Sequence, residues 1–83
     1  VESLYRLMDG KIEFIEFKID ENDRNLNIPL KDLRLKSGIL LGCIMRGSKT
    51  IIPRGDDVLM PGDMALVETI GRQIVRLEDI FQT

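Results

Sequence analysis

The stretch "ILLGCIMRGSKTIIP", residues 39–53, decides the fold that this sequence predicts. Residues 39–46 are largely apolar and lie between glycines, which is typical of a buried strand. Gly47 and Ser48 follow, and a glycine can adopt the positive φ angle that a tight two-residue hairpin turn requires. Residues 49–53 then have the composition of a returning strand. We therefore expect two neighbouring antiparallel strands joined by a short turn.

Two further segments have strand character. Residues 11–20 ("KIEFIEFKID") alternate apolar and charged side chains, but the alternation slips where Phe14 and Ile15 adjoin. The slip predicts either a strand with a bulge or a strand with both faces partly covered, and a helix is the alternative. Residues 64–69 predict the last strand. They follow "MPGD", residues 60–63, which has the Pro and Gly positions of a type II turn.

Three segments have helical signals. Residues 3–10 place leucines and a methionine at helical spacing and end in a glycine, so we expect the tail of a helix that enters from a preceding region. Residues 29–33 begin with a proline suited to the first helical position, which predicts a short helix. Residues 72–81 predict a closing helix from their apolar spacing. The expected fold class is α+β, a small and mostly antiparallel sheet with these helices.

Composition argues against several functions. The 83 residues suit one small domain, and the net charge of −2 with scattered Lys and Arg argues against binding nucleic-acid polymers. No apolar run approaches the ~20 residues of a membrane-spanning helix, so we expect no membrane insertion. The chain has no His and a single cysteine, Cys43, inside an apolar run. A nucleophilic cysteine needs a basic partner, so we expect no catalysis and interpret Cys43 as a small buried residue.

The acidic turns have ordinary structural interpretations. Arg54-Gly55-Asp56 matches a cell-adhesion tripeptide, but a turn in which Asp56 or Asp57 accepts backbone hydrogen bonds is the better interpretation. Asp63 is expected to fix the turn that precedes the last strand. Two adjacent acids do not supply the six or more oxygen ligands of a hard-cation site, so no metal site is predicted.

The ordered set of motifs resembles a known family. "IPLKDLRL", residues 28–35, followed by "SGILLGCIMRGSKTIIPRGDDVLMPGDMALV", residues 37–67, is similar to the C-terminal regulatory modules (RCK-C, or TrkA-C) of Trk/Ktr-type potassium-uptake proteins. "SLYRLMDGKIEFIEFKI" and "VRLEDIF" resemble the segments that lead into and end such a module. The resemblance implies that residues 11–83 form the module and that residues 1–10 end a linker helix from a missing N-terminal domain.

The resemblance also implies partners and a location. Such modules follow a Rossmann half with an NAD or ATP site, and this chain has no G-x-G-x-x-G motif of its own. They pair as homodimers in a cytosolic subunit that regulates a membrane potassium translocator at the inner face of the membrane. Some relatives bind cyclic di-AMP at the dimer seam. No cofactor is expected within this module itself.

A tentative ligand site follows from the hairpin. Arg46 and Arg54 flank the two strands, and a pair of arginines can hold phosphates by charge-assisted hydrogen bonds. Ile51, Ile52 and Pro53 would add apolar surface for a purine. The alternative is that both arginines are solvated or ion-paired. For the function, the alternative is a ligand-free dimerisation domain of another cation transporter or antiporter.

Overall fold

Five antiparallel strands form the sheet of the computed structural model, which describes residues 1–82. The strands lie in the order β1-β2-β5-β3-β4, so the last strand in sequence occupies the centre of the sheet. Two single 3₁₀ turns, at Leu30–Asp32 and Leu77–Ile80, accompany it. The strand bounds are β1 Ser3–Leu7, β2 Ile12–Lys18, β3 Ile39–Arg46, β4 Lys49–Ile51 and β5 Met64–Ile70.

The predicted α+β class is wrong, because the described part of the chain contains strands and 3₁₀ turns but no α-helix. Instead of a helix over residues 29–33 there is a single 3₁₀ turn, after which Leu33 is extended. The backbone N–H of Leu30 donates to the Asp57 carbonyl and that of Lys31 to the Gly55 carbonyl. Segments this short are unstable as isolated helices, so these tertiary hydrogen bonds determine their conformation.

The predicted helix over residues 72–81 is also wrong. Arg76 has an extended backbone, with φ −121° and ψ 153°, and only Leu77–Ile80 forms a 3₁₀ turn. Four apolar side chains of this segment are nevertheless buried against the sheet. Burial therefore explains the apolar spacing without a helix. The buried residues are Ile74, Leu77, Ile80 and Phe81.

The expected helix end over residues 3–10 is instead the edge strand β1 and a turn. β1 pairs antiparallel with β2, and Leu7 lies opposite Ile12. Met8, Asp9 and Gly10 all have positive φ angles, which reverse the chain between the two strands. The spacing of the leucines fitted a helix, but the segment is extended because its backbone pairs along one side with β2.

The predicted hairpin is confirmed. Arg46 lies opposite Lys49 and Ile44 opposite Ile51, with Gly47-Ser48 as the two-residue turn. Gly47 has φ 61°, the positive angle that such turns require at their first central position. The returning strand is shorter than residues 49–53, because β4 ends at Ile51.

The slip at Phe14 and Ile15 does not produce a bulge. β2 pairs in unbroken register with both β1 and β5. Ile15 is buried in the core while Phe14 is half-buried on the opposite face, so both faces of β2 are partly covered. The sheet's register shift lies instead in β3, between Leu41 and Cys43.

The hydrophobic core lies on one face of the sheet. Inward residues of β2, β3 and β5 meet side chains of the loops and of the C-terminal segment there. The opposite face carries half-buried Phe14, Leu66 and Cys43. The core residues are Ile15, Phe17, Ile19, Leu41, Ile44, Leu59, Ala65, Val67, Ile74, Leu77, Ile80 and Phe81.

Candidate functional site

A bidentate ion pair holds the end of the hairpin to the start of the central strand. The Nε of Arg46 donates to Oδ1 of Asp63 at 2.8 Å, and Nη2 donates to Oδ2 at 2.8 Å. Nη2 also donates to the Val58 carbonyl at 2.9 Å. This planar two-point contact is the arrangement that arginine and carboxylate groups favour. It fixes the residue 58–63 loop against β3.

Asp63 also fixes the turn in front of β5, as the sequence predicted. The Met60 N–H donates to its Oδ2 at 2.9 Å, and the Asp63 N–H donates to the Met60 carbonyl at 3.1 Å. Gly62 has φ 92°, as the third position of a type II turn requires. One carboxylate therefore serves the turn and the ion pair together.

The electrostatics of Asp63 keep it ionised. Burial alone would raise the pKa of this carboxyl, but hydrogen bonds from Arg46 and from the Met60 N–H, together with the Arg46 charge, lower it below its usual value. The hydrogen bond to Asp63 raises the pKa of Arg46 in turn. The Nε and Nη2 groups of Arg46 are therefore occupied by hydrogen bonds to Asp63 and Val58. The Nη1 group of Arg46 has no partner among residues 1–82.

The remaining predicted site residues lie in different environments along the hairpin. Ile51 is half-buried and packs against the core, whereas the side chain of Ile52 is 70% exposed. Pro53 lines an apolar cavity. Arg54 is exposed, and its backbone N–H donates to Asp57 Oδ2 at 2.7 Å. The ligand site over Arg46, Ile51, Ile52, Pro53 and Arg54 stays a prediction.

The apolar cavity has a volume of about 160 Å³ and lies between the first 3₁₀ turn, β3 and the C-terminal segment. The helix predicted over residues 29–33 included Leu30 and Leu33, so these leucines were not associated with the hairpin. Their repetition in "PLKDLRL" is the signal that was available. The lining residues are Leu30, Leu33, Leu35, Leu40, Leu41, Pro53 and Phe81.

The segment with the Arg54-Gly55-Asp56 tripeptide forms a turn that holds the 3₁₀ turn in place. The Asp57 carboxylate accepts a backbone hydrogen bond, as predicted for one of the two acids. Asp56 pairs with Lys31 Nζ at 2.9 Å, but both side chains are exposed. Such exposed pairs contribute little stability. The hydrogen bonds from the Leu30 and Lys31 N–H groups to the Asp57 and Gly55 carbonyls therefore hold the two turns together.

Cys43 is half-buried rather than fully buried, and it lies opposite Leu66 on the face away from the core. Within residues 1–82, no three His, Cys, Asp or Glu side chains are grouped so that they could hold a metal ion. In the same residues, no helix has the length and apolar character to cross a membrane.

Comparison with known proteins assigns the module. The sequence profile of the TrkA-C domain matches residues 14–82, so the chain belongs to the TrkA-C domain family. This confirms the resemblance inferred from the motifs.

Its curated relatives are much longer proteins. The chain is similar to Trk system potassium uptake protein TrkA homolog 1 of Methanosarcina mazei, with 28% identity over 82 residues, which are 99% of this chain and 18% of that protein. It has the same identity and coverage with Trk system potassium uptake protein TrkA of Azorhizobium caulinodans. It is 38% identical to the TrkA homolog of Archaeoglobus fulgidus over 61 residues, 74% of this chain and 14% of that protein. The chain thus spans less than a fifth of these relatives.

Proposed function

We propose that this chain is the regulatory module of a Trk-type potassium-uptake protein, in which it forms a homodimer and senses a small ligand. Membership of the TrkA-C family and the names of the relatives support the potassium-uptake assignment. The module is non-catalytic and cytoplasmic, and it acts on a membrane translocator through the rest of a longer protein. A nucleotide-binding domain precedes it in that protein.

The single observation that carries the ligand-sensing role is the apolar cavity beside Pro53. Its volume, about 160 Å³, is smaller than the ~300 Å³ at which small-molecule sites usually begin. A nucleotide would therefore need further surface to cover it. A second copy of the chain supplies that surface if the two cavities face each other across a dimer seam.

The two arginines of the hairpin support the proposal, because they supply hydrogen-bond donors for such a ligand. Arg54 is exposed immediately after Pro53, and Arg46 retains the N–H donors of Nη1. Ile52, next to Pro53 in the chain, is exposed and adds apolar surface. We take cyclic di-AMP as the test ligand, because it combines two apolar base faces with two phosphates that arginines can hold.

The mechanism is a population shift. A ligand bound across the seam contacts both copies, so it stabilises the relative orientation in which both cavities close on it. The preceding domains follow the orientation of the modules and pass the change to the translocator. The free energy that the ligand can transmit equals its difference in affinity for the two orientations.

Isothermal titration calorimetry with cyclic di-AMP tests the proposal, together with light scattering of the eluting protein and a thermal melt. We expect a dimer, measurable heat and a higher melting temperature with ligand. A dimer that gives neither heat nor a melting shift would leave only a ligand-free dimerisation domain. A monomer at every concentration would contradict the dimer itself.

Matched variants connect the binding to the proposed residues. Arg54→Ala should weaken binding about tenfold or more, because hydrogen bonds to charged groups contribute ~1.5–3 kcal/mol. Leu40→Glu should abolish binding by placing a carboxylate at the cavity, and the fold should tolerate it because Leu40 is 57% exposed. Lys49→Ala, on the same hairpin but outside the cavity, is the control and should bind like the wild type.

A further inference from the structure

The two edges of the sheet differ in how they are protected. β4 has three residues and is soon followed by Pro53, which has no N–H to offer an added strand. β1 has five residues, no proline and no register shift. Its outer backbone groups have no strand partner within residues 1–82. By these criteria β1 is an open edge, to which another strand can pair.

The side chains of β1 are also uncovered. Leu4, Tyr5 and Leu7 are 42%, 61% and 52% exposed, and Val1, just before the strand, is 63% exposed. Apolar residues therefore point into solvent from both faces of the same edge. A polar edge strand would not show this pattern. The exposed strand suggests that a partner covers it.

The sequence of this edge is complementary to itself. In an antiparallel pairing of "VESLYRL" with a second copy, a two-fold axis at Leu4 places Glu2 opposite Arg6 and Val1 opposite Leu7. Glu2, Leu4 and Arg6 share one face of the strand, so both charge pairs lie on that face. Three of the four kinds of two-fold pair thus join opposite charges or apolar side chains, which stabilises cross-strand neighbours, and the fourth places Ser3 opposite Tyr5.

Arg6 can take part without giving up its own contact. Its Nε donates to Oε2 of the buried Glu13 at 2.8 Å. Its terminal amino groups have no hydrogen-bond partner in residues 1–82, and its side chain is 61% exposed. Glu2 is held in line with β1 by a backbone hydrogen bond from its N–H to the Glu16 carbonyl at 2.7 Å. The Arg6 side chain and the Glu2 backbone are therefore held at this edge. The Arg6 terminal amino groups and the Glu2 carboxylate remain available for another contact.

We propose that a second copy of this chain pairs with it through β1, antiparallel and centred on Leu4, joining the two sheets into one. This surface lies at the opposite edge from the hairpin to which the ligand-bound dimer is assigned. It also precedes the residues matched by the family profile, which begin at position 14. Copies that used both surfaces would form an assembly larger than a dimer. The inference does not depend on ligand binding.

A disulfide at the two-fold axis tests the register. In antiparallel pairs the opposed Cα atoms are about 4.5–5.5 Å apart, within the range that a disulfide spans. Leu4→Cys, in a background where Cys43→Ser removes the native thiol, should give a covalent dimer on a non-reducing gel after mild oxidation. Leu7→Cys in the same background is the control, because position 7 faces position 1 rather than itself. Circular dichroism confirms that both variants are folded.

Charge reversal provides the second test. Glu2→Arg places like charges opposite each other twice in the pairing but leaves the contact between Arg6 and Glu13 unchanged. We expect self-association through this edge to weaken roughly tenfold at low salt, and the effect to shrink as salt screens it. Folded Leu4→Cys that crosslinks no faster than Leu7→Cys would overturn the proposal. So would a Glu2→Arg variant that associates as strongly as the wild type.

Discussion

Replacing Arg46 by Met should cost more stability than replacing Asp63 by Asn, although both changes break the same ion pair. The reason is the difference in burial, since the Asp63 side chain is 1% exposed and that of Arg46 is 36% exposed. Without Arg46, a buried carboxylate keeps only the Met60 N–H as its hydrogen-bond donor among the described residues. Without the Asp63 charge, the guanidinium that remains is accessible to water.

The magnitudes follow from this difference. Removing one partner of a buried pair costs about 3–5 kcal/mol, and we take ~3 kcal/mol for Arg46→Met because solvent screens the partly exposed arginine. Asp63→Asn keeps an acceptor and loses the charge assistance, so we expect about 1.5 kcal/mol. For a domain of this size, these values correspond to decreases in melting temperature of about 12–24 °C and 6–12 °C.

Urea unfolding followed by circular dichroism, at one fixed protein concentration, measures both losses. Arg54→Met is the matched control, because Arg54 is exposed and contributes only its backbone N–H to the described hydrogen bonds. It should change the free energy of unfolding by less than about 0.5 kcal/mol. An Arg46→Met variant that is no less stable than Asp63→Asn would refute the reasoning.

The pH dependence gives an independent check. Burial favours the neutral form of Asp63, but the hydrogen bonds from Arg46 and Met60 lower its pKa below 3.8. In the wild type, the stability from this group is therefore present above pH 3.8 and is lost as the pH falls through the lower folded pKa. Arg46→Met removes the hydrogen bond and the charge of Arg46 that lower the pKa of Asp63, so burial should raise the folded pKa and the variant should gain stability on acidification. Its deficit should narrow between pH 7 and pH 4, and a constant deficit would contradict the assignment.

Two further substitutions test the packing of the fold, each with urea unfolding as the measurement. Gly38→Ala should destabilise by about 2–3 kcal/mol, because Gly38 has φ +79° and an added Cβ would lie 2.5 Å from the Ile70 carbonyl oxygen. Gly10→Ala is its control, since Gly10 has φ +84° with no atom within 4 Å of the added Cβ, and it should cost only about 1 kcal/mol. Equal losses would show that the contact with Ile70 is unimportant. Ile15→Ala should cost about 2–5 kcal/mol because Ile15 is fully buried in the core, whereas the 70% exposed Ile52 should tolerate alanine within about 0.5 kcal/mol. Similar losses of unfolding free energy at the two positions would contradict the burial of Ile15 and the exposure of Ile52.

The hairpin and the last strand could be predicted because their signals are local. Gly47 and the Pro61-Gly62 pair specify their turns whatever the rest of the chain does, and the apolar run between glycines is of strand length. The helices could not be excluded in this way. The leucines of residues 3–10 and the apolar residues of 72–81 fit helical spacing, but contacts with distant segments decide their structure. β1 is extended because β2 lies beside it, and Leu77 is buried because the sheet offers it a surface.

The candidate site shows the same division. Pro53 and the two arginines could be selected from the hairpin alone. The pairing of Arg46 with Asp63, 17 residues away, could not, because nothing in the sequence shows that the loop between them returns to the end of β3. The cavity was missed for the same reason, since Leu30 and Phe81 meet there from opposite halves of the chain.

The central position of β5 has a consequence for how the chain folds during synthesis. The two hairpins, β1-β2 and β3-β4, can form as they emerge from the ribosome, but neither borders the other in the finished sheet. β5 is the only strand among the described residues that contacts both, and it is the last of the five to be translated. Isolated two-stranded hairpins are marginal in water, so cooperative folding has to wait until residue 70 is available. A nascent chain that stops before that point has two hairpins with unpaired strand edges. Such partly folded chains are prone to aggregate and are the ones that chaperones bind.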